Sequence, residues 1–408
     1  MDKQKKIIVG IAIGVGLIIL FFVGRWWSAR KEDHQQAARV EQKRKQDEKV
    51  VRQAALTLHQ LCLFADSIGI DTSRFGTPKH LDKAEIDANL THVLMETRYG
   101  KKPSQLAFNG LKEAVDSAWA EKTDAVQAGQ VKASLLAFEP YAKLVGHYNR
   151  LRKQAGKNAT SSDSLRLIRQ TLNFYRYVNR FNPDQFVVVN IPAGELNVFN
   201  QSGKRLLPMQ VIAGKPDRRT PCMTTYIQDI IAYPYWNVPQ NIALDEIVPH
   251  VKRDVAYLYN QNFQVLDERN REVDPEEVDW DGITETNFPY RIRQASGCEN
   301  SLGLLKFDLA NPLAIYLHDT NSRDLFKLTS DRWRSHGCVR VQKPVELANL
   351  ILGQQTFDED FINKCLIDQK PRVLKIPKPF PVFITYNLAD VDATGKLRFY
   401  KDVYGWAK

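Results

Sequence analysis

The 408-residue chain contains no Cys-x-x-Cys pair, and its five cysteines (Cys62, Cys222, Cys298, Cys338 and Cys365) are few and scattered. That spacing excludes a disulfide framework and gives no support to zinc or dithiol redox chemistry. An odd count leaves at least one thiol free. The chain also lacks any Lys/Arg cluster interleaved with aromatic residues, so its net charge of +10 does not describe a nucleic-acid groove. The charge suits anionic lipid or an acidic cell-wall matrix instead, and no nucleic-acid partner is expected. Between Ser28 and about Arg52 there is neither glycine nor proline, and few apolar residues, which fits a solvated helical stalk.

What is present divides the chain by texture. Lys3, Lys5 and Lys6 precede an uncharged run from Ile7 to Gly24, closed by Arg25, Trp26 and Trp27. The run is long enough to span a bilayer, has tryptophans at interface depth, and is followed by no small-x-small cleavage site, so an uncleaved anchor is expected. Gly10 and Gly14 have the spacing of a helix-pairing motif and are read as packing. From about Ala54 to Arg180 apolar residues recur at helical spacing: Leu56, Leu58, Leu61, Leu63 and Phe64, then Ile86, Leu90, Val93 and Leu94, then Leu106, Leu111, Val115 and Trp119. Gly69, Gly76, Pro78, Gly100, Pro103 and Gly110 break this into short helices, and Ser134 to Arg152 and Ser162 to Asn179 add two more. His59, His80, His92 and His147 are isolated within it and carry no chemistry.

At Phe186 the pattern turns to strands: Phe186 to Pro192, Glu195 to Asn200 and Leu206 to Ala213, with Gln201 to Lys204 as a hairpin turn, then Cys222 to Pro234. Strands this close together favour a mainly β domain over a parallel α/β sheet. Trp236 to about Ala295 interrupts them with a helical segment, Ala243 to Val251, and an acidic run, Asp274 to Asp281, read as a solvated face. Sixty residues exceed an ordinary loop, so a folded insertion or lid is expected. Strands resume at Ser301 to Leu309 and Leu313 to His318. A helix from Pro344 to Gln354, a strand from Arg372 to Ile376, a tail with Pro377, Pro379 and Pro381, and strand-like runs Val382 to Asn387 and Lys396 to Tyr400 complete the chain.

The chemistry concentrates in Ser335-His336-Gly337-Cys338-Val339-Arg340-Val341. A cysteine between glycine and valine at a loop end is placed as an exposed nucleophile, and it needs a base or a positive field to act as thiolate. His336, two residues before it, and His318, at the end of a strand-like run, both qualify. The Cys338 N–H beside Gly337 offers an oxyanion pocket, and the permanent charge of Arg340 suits a substrate carboxylate. A buried, inert thiol is the competing reading. No second pair accompanies His336 and Cys338 to make a metal site.

The Ser335–Val341 run, together with Tyr316-Leu317-His318-Asp319-Thr320, resembles the signature of the L,D-transpeptidases, cysteine acyltransferases that remodel bacterial peptidoglycan. Val189 to Pro192, Gly214 to Pro221, Pro234 to Pro239, Asn300 to Gly303 and Asp402 to Gly405 extend the resemblance to the large, lid-bearing branch with a YkuD-type domain. It implies an α+β chain: cytoplasmic tail 1–6, transmembrane anchor 7–24, charged helical stalk 25–53, all-α scaffold domain 54–182, mainly-β catalytic domain 186–376 with a capping insertion at about 236–295, and a C-terminal extension 377–408 packed on it. It also implies Cys338 as nucleophile, His318 as general acid/base and Gly337 in the oxyanion hole. Ser335, His336, Arg340 and Asp319 would support the site or bind substrate.

The implied partners are peptidoglycan stem peptides, the inner membrane through the first helix, and carbapenems as covalent inhibitors, with no metal or cofactor. The implied setting is a bacterial inner membrane, single-pass, with the catalytic domain in the periplasm. No peptidoglycan-binding module of the kind common in that branch is evident. The rival outcomes are an L,D-carboxypeptidase, a protein-to-wall transferase and a catalytically silent wall-binding scaffold. Whether Cys222 and Cys298 pair is open from sequence.

Overall fold

The computed structural model describes residues 3–75, 82–118, 136–156, 162–328, 331–358, 360–364, 366 and 369–407. Gly76, Pro78, His80, Trp119, Cys365 and the expected helix start at Ser134 lie outside them. The chain begins with one unbroken helix, Lys3–Ser67. Anchor-like run, charged stretch and the first segment of the helical region are one element because nothing between them breaks a helix. At about 1.5 Å per residue its 65 residues make a rod of about 100 Å. It is the one helix, among the described residues, long and apolar enough to cross a membrane.

The end of the rod packs into a helical layer. Lys83–Tyr99 starts with a capping box, Asp82 accepting from the Glu85 N–H while Glu85 reaches back to the Asp82 N–H. Glu139–Ala155 and Asp163–Val178 follow; the latter buries Leu165, Ile168, Leu172 and Tyr175, one face at helical spacing. These helices share their core with the outer face of the sheet, since Phe186, Val188, Phe199 and Phe383 belong to the same cluster as Leu58, Ile86 and Leu144.

The main sheet contains β1 (Leu106–Asn109), β2 (Gln185–Asn190), β3 (Glu195–Asn200), β4 (Arg205–Gly214), β5 (Cys222–Ala232), β10 (Leu305–Leu309), β11 (Leu317–His318), β12 (Trp333–Ser335), β13 (Val339–Val341) and β14 (Arg372–Thr385). Its order is β1-β5-β10-β11-β13-β4-β3-β2-β14, with β12 beside β4, and β14 also pairs with β5. That pairing closes the path on itself and removes two sheet edges. The enclosed core includes Val187, Val198, Val211, Met223, Phe307, Leu317, Val339 and Val382. Residues 236–294 build a separate unit, with β6 (Trp236–Asn237), β7 (Phe263–Leu266), β8 (Glu272–Val273) and β9 (Arg291–Gln294) in the order β6-β9-β7-β8. Ile242, Val251, Leu258, Val265, Trp280 and Ile292 give it a core of its own.

Three readings of the sequence are corrected. No helix carries Leu106, Leu111 and Val115: Leu106–Asn109 is a strand parallel to β5, tied to it by Gly110 N–H donating to the Thr224 carbonyl at 2.7 Å and by the Thr224 hydroxyl on Asn109 Oδ1. Tertiary pairing overrides the spacing of the leucines. Strand β14 does not stop at Ile376: it runs through Pro377, Pro379 and Pro381, the first two falling where the register shifts between Lys375 and Phe380 and the third standing opposite Tyr226. It therefore belongs to the sheet and is not an extension laid over it. The run Leu313 to Leu317 yields only Leu317–His318 as strand, because the Asn311 side chain accepts from the Leu313 and Ile315 N–H groups and folds the preceding residues into a loop with Ala314 at φ 54°. Beyond β14, β15 (Ala389–Val391) and β16 (Leu397–Phe399) form a hairpin. Cys222 is a buried free thiol whereas Cys298 is disulfide-bonded, so these two do not pair.

Candidate active site

Strands β10, β11 and β13 are laid side by side so that Lys306, His318 and Arg340 fall in one transverse row. Cys338 immediately precedes β13, two positions from Arg340, and alternation along the strand puts it on the face of Arg340, opposite the core residue Val339. Val339 N–H donates to the Tyr316 carbonyl at 3.1 Å, which brings Tyr316 alongside Cys338. The Cys338 Sγ contacts the Ala314 carbonyl at 3.7 Å.

Burial pushes the Cys338 thiol above its ordinary pKa; Tyr316 and the charges of Lys306 and Arg340 pull in the other direction. The same row acts on His318, which is 5% exposed. Loss of water, then the adjacent Arg340 charge, holds it down at about 3, so the imidazole is neutral. Its Nδ1 is buried without a hydrogen-bond partner among the described residues. Backbone at Asp319 and Leu302 lies close enough to favour the charged ring but closes no hydrogen bond of good geometry. Arg340 Nε is likewise buried and unpartnered among the described residues. Among those residues there is no hydrogen bond between His318 and the Cys338 thiol; Cys338 lies two register positions from Arg340, the strand partner of His318.

Side chains around the 335–338 turn hold its shape. The buried Ser335 hydroxyl donates to the Cys338 carbonyl and accepts from the Gly337 N–H at 3.2 Å. Gly337 stands at φ 120°, a conformation that disfavours any other residue. Its carbonyl accepts from the Thr220 hydroxyl at 2.7 Å, Thr220 accepts from the Gly214 N–H, and the Tyr404 hydroxyl donates to the Gly214 carbonyl at 2.6 Å. His336 turns outward, its Nε2 2.5 Å from Glu246 Oε1, and Arg218 pairs with Asp245 at 2.7 Å. Both acidic partners belong to the 236–294 unit.

Asp319 does not face His318. Its carboxylate takes Arg323 and the Leu304 N–H at 2.8 Å. It holds the loop whose Leu302 backbone lies beside the His318 ring. Gly303 is required there, because it has φ +61° and an added Cβ would lie 2.3 Å from Asp319 Oδ2. The sequence reading missed the roles of Thr220, Tyr404, Lys306 and Tyr316. Thr220 and Tyr404 stood inside stretches that carried the resemblance, but their convergence from distant positions leaves no local signal. Lys306 is legible only once the strand register is known; its ammonium lies 4.5 Å from the centre of the Tyr316 ring.

Residues 184–373 match the family model described as the L,D-transpeptidase catalytic domain, YkuD. A Haemophilus influenzae protein named "Putative L,D-transpeptidase" is 36% identical over 220 residues, 54% of this chain and 44% of that protein. The chain thus spans less than half the length of this curated relative. Among solved structures, an L,D-transpeptidase from Mycobacterium smegmatis is similar at 14% identity, covering 50% of this chain and 58% of that one with a TM-score of 0.22. The catalytic domain of an Enterococcus faecium L,D-transpeptidase acylated by ertapenem is similar at 10% identity, covering 50% and 98% with a TM-score of 0.23.

Proposed function

We propose that the chain is a peptidoglycan L,D-transpeptidase held in the inner membrane by its first helix, with Cys338 as the nucleophile. The observation that carries this reading is the row Lys306–His318–Arg340 beside the Cys338 thiol inside a domain of that family. The Cys338 sulfur attacks the carbonyl of the L-centre of residue three in a stem tetrapeptide, and His318 takes the thiol proton. The C–N bond breaks, D-alanine leaves as the amine with a proton returned from His318, and a thioester remains. The side-chain amine of a second stem then attacks the thioester, the C–S bond breaks, and a 3-3 cross-link forms with the thiol restored.

The electrostatics give each group its part. Lys306 and Arg340 favour the thiolate. His318 is neutral and so has a free nitrogen for the proton, and the imidazolium, costly beside Arg340, gives it back readily. With the Gly337 N–H occupied by Ser335, the Cys338 N–H serves as the oxyanion donor. The Arg340 guanidinium takes a substrate carboxylate. The 236–294 unit caps the site through Glu246 and Asp245. Lys3, Lys5 and Lys6 lie on the cytoplasmic side and the domain in the periplasm, where the wall is; Ser335 and His336 support the turn.

Mass spectrometry of the protein with disaccharide tetrapeptide, and separately with a carbapenem, tests the reading. A dimer lacking one D-alanine and a drug adduct on Cys338, both lost in Cys338→Ala, are expected. Tripeptide without dimer would replace transpeptidation by carboxypeptidation, and absence of both product and adduct would overturn the enzyme. Arg340→Lys should reduce use of the tetrapeptide by roughly tenfold, since an ammonium cannot reproduce the fork.

A further inference from the structure

A groove of 560 Å³ lies on the 236–294 unit, where the start of its helical segment at Gln240, the turn at Glu268 and the residues Phe288 to Arg291 come together. That volume is within the range of ligand pockets, about 300–1,000 Å³. Its lining includes none of Cys338, His318 or Arg340. The polar side chains that line it are open to solvent: Gln240, Glu268 and Arg291 are all exposed. None of the three makes a side-chain hydrogen bond or ion pair among the described residues. Phe288 and Tyr290 are half-buried, packed against the core of the unit while still lining the groove.

Two aromatic rings beside an unengaged amide, carboxylate and guanidinium suit a ligand that combines apolar faces with many groups able both to donate and to accept. One acid against one base leaves the lining without net charge, so neither a free carboxylate nor a free amine is favoured over the other. A purely apolar side chain would call for a drier pocket. Sugar rings meet these conditions, since their C–H faces lie on aromatic rings and their hydroxyl and acetamido groups pair with planar polar side chains.

The position agrees with the chemistry. Gln240 opens the helical segment whose Asp245 and Glu246 meet Arg218 and His336. At about 1.5 Å per residue, the helix from Gln240 to Glu246 spans no more than about 9 Å. His336 is in turn two residues from Cys338. In a wall stem peptide the sugar is attached three residues from the carbonyl under attack, a distance of about 10 Å in extended chain. The groove therefore lies on the scale at which the glycan of a stem held at Cys338 begins.

We propose that this groove binds the glycan strand of peptidoglycan, a chain of N-acetylated amino sugars. Phe288 and Tyr290 stack on sugar faces, and Gln240, Glu268 and Arg291 meet hydroxyl and acetamido groups. The proposal rests on the function given above and extends it, because the 236–294 unit then reads the sugar while Cys338 takes the peptide attached to it.

Full-length Cys338→Ala protein is titrated with a peptide-free tetrasaccharide of the wall glycan, and binding is read by saturation-transfer NMR. Saturable binding is expected, weakened roughly tenfold by Tyr290→Ala and roughly threefold by Arg291→Ala. Tyr259→Ala, at an exposed aromatic of the same unit outside the groove, should change nothing. Arg291 is exposed, so its variant still decides the matter should Tyr290→Ala fail to fold. No saturable binding, or binding indifferent to both groove substitutions, would overturn the site. Equal binding of sugar-free tetrapeptide, with the same sensitivity to Tyr290→Ala and Arg291→Ala, would overturn sugar as the ligand. The probe carries no peptide and the variant lacks the nucleophile, so the two readings fail separately. Absent binding with an active wild-type enzyme removes the groove alone, and binding with an inactive enzyme removes the proposed function alone.

Discussion

His318 and His336 flank the same thiol in different surroundings. His318 sits within the sheet, shut away from water, beside Arg340 and in register with Lys306. His336 is on the turn, with 28% of its side chain exposed, facing the carboxylate of Glu246. One ring is held neutral by burial and by a neighbouring cation; the other faces a carboxylate oxygen at 2.5 Å. The first setting places a neutral acceptor in the cationic row beside the thiol, whereas the second suits a latch between two units. Nearness in sequence, which favours His336, carries little weight against strand register.

The contrast can be broken most directly by kinetics. His318→Asn should slow acylation of Cys338 by roughly 10²–10⁴-fold and His336→Asn by less than roughly tenfold, measured as the rate of carbapenem adduct formation. Equal losses would remove the distinction.

A second test uses stability against pH. His318 is depressed to about 3 in the fold and titrates near 6.5 when unfolded. Its contribution is therefore complete above 6.5 and is lost as pH falls from there toward 3, at up to about 1.4 kcal/mol per pH unit. Urea melts of wild type should fall more steeply over that window than those of His318→Asn; parallel curves would mean that the ring is hydrated.

Smaller effects sharpen the same picture. Gly303→Ala should destabilise the protein by about 1–3 kcal/mol, since it combines a positive φ with a collision on Asp319, and Gly353→Ala, with positive φ but open space, should cost less. Glu246→Gln should leave adduct formation almost unchanged and raise KM for the stem peptide less than about fivefold, the yield of a half-exposed ion pair. A fall in kcat there would make His336 more than a latch.

Much of this site was legible because chemistry leaves local marks. Cys338 stands between a glycine that must adopt positive φ and a β-branched strand residue, and Arg340 alternates with the core residues Val339 and Val341. The β-branched run 186–189 and the helical face of Leu165, Ile168 and Leu172 are likewise direct readings of period. Asn311 hides a loop inside an apolar run by capping it with its own side chain, and β1 hides a strand among leucines at helical spacing. The first error comes from a local side-chain cap that apolar periodicity does not register, the second from a pairing with a distant strand that no window of sequence contains.

By itself the sequence determined the helical rod, the alternation that fixes which face of each strand is dry, and the presence of a thiol, an imidazole and a guanidinium with the right chemistry. Tertiary structure decided which imidazole stands in the cationic row and that Asp319 holds a loop. It also decided that β14 passes its prolines to close the sheet on β5. The reason is physical: side-chain period is set by local backbone geometry, but charge–charge distance, solvent exclusion and strand partners are set only when distant segments are brought within a few ångströms.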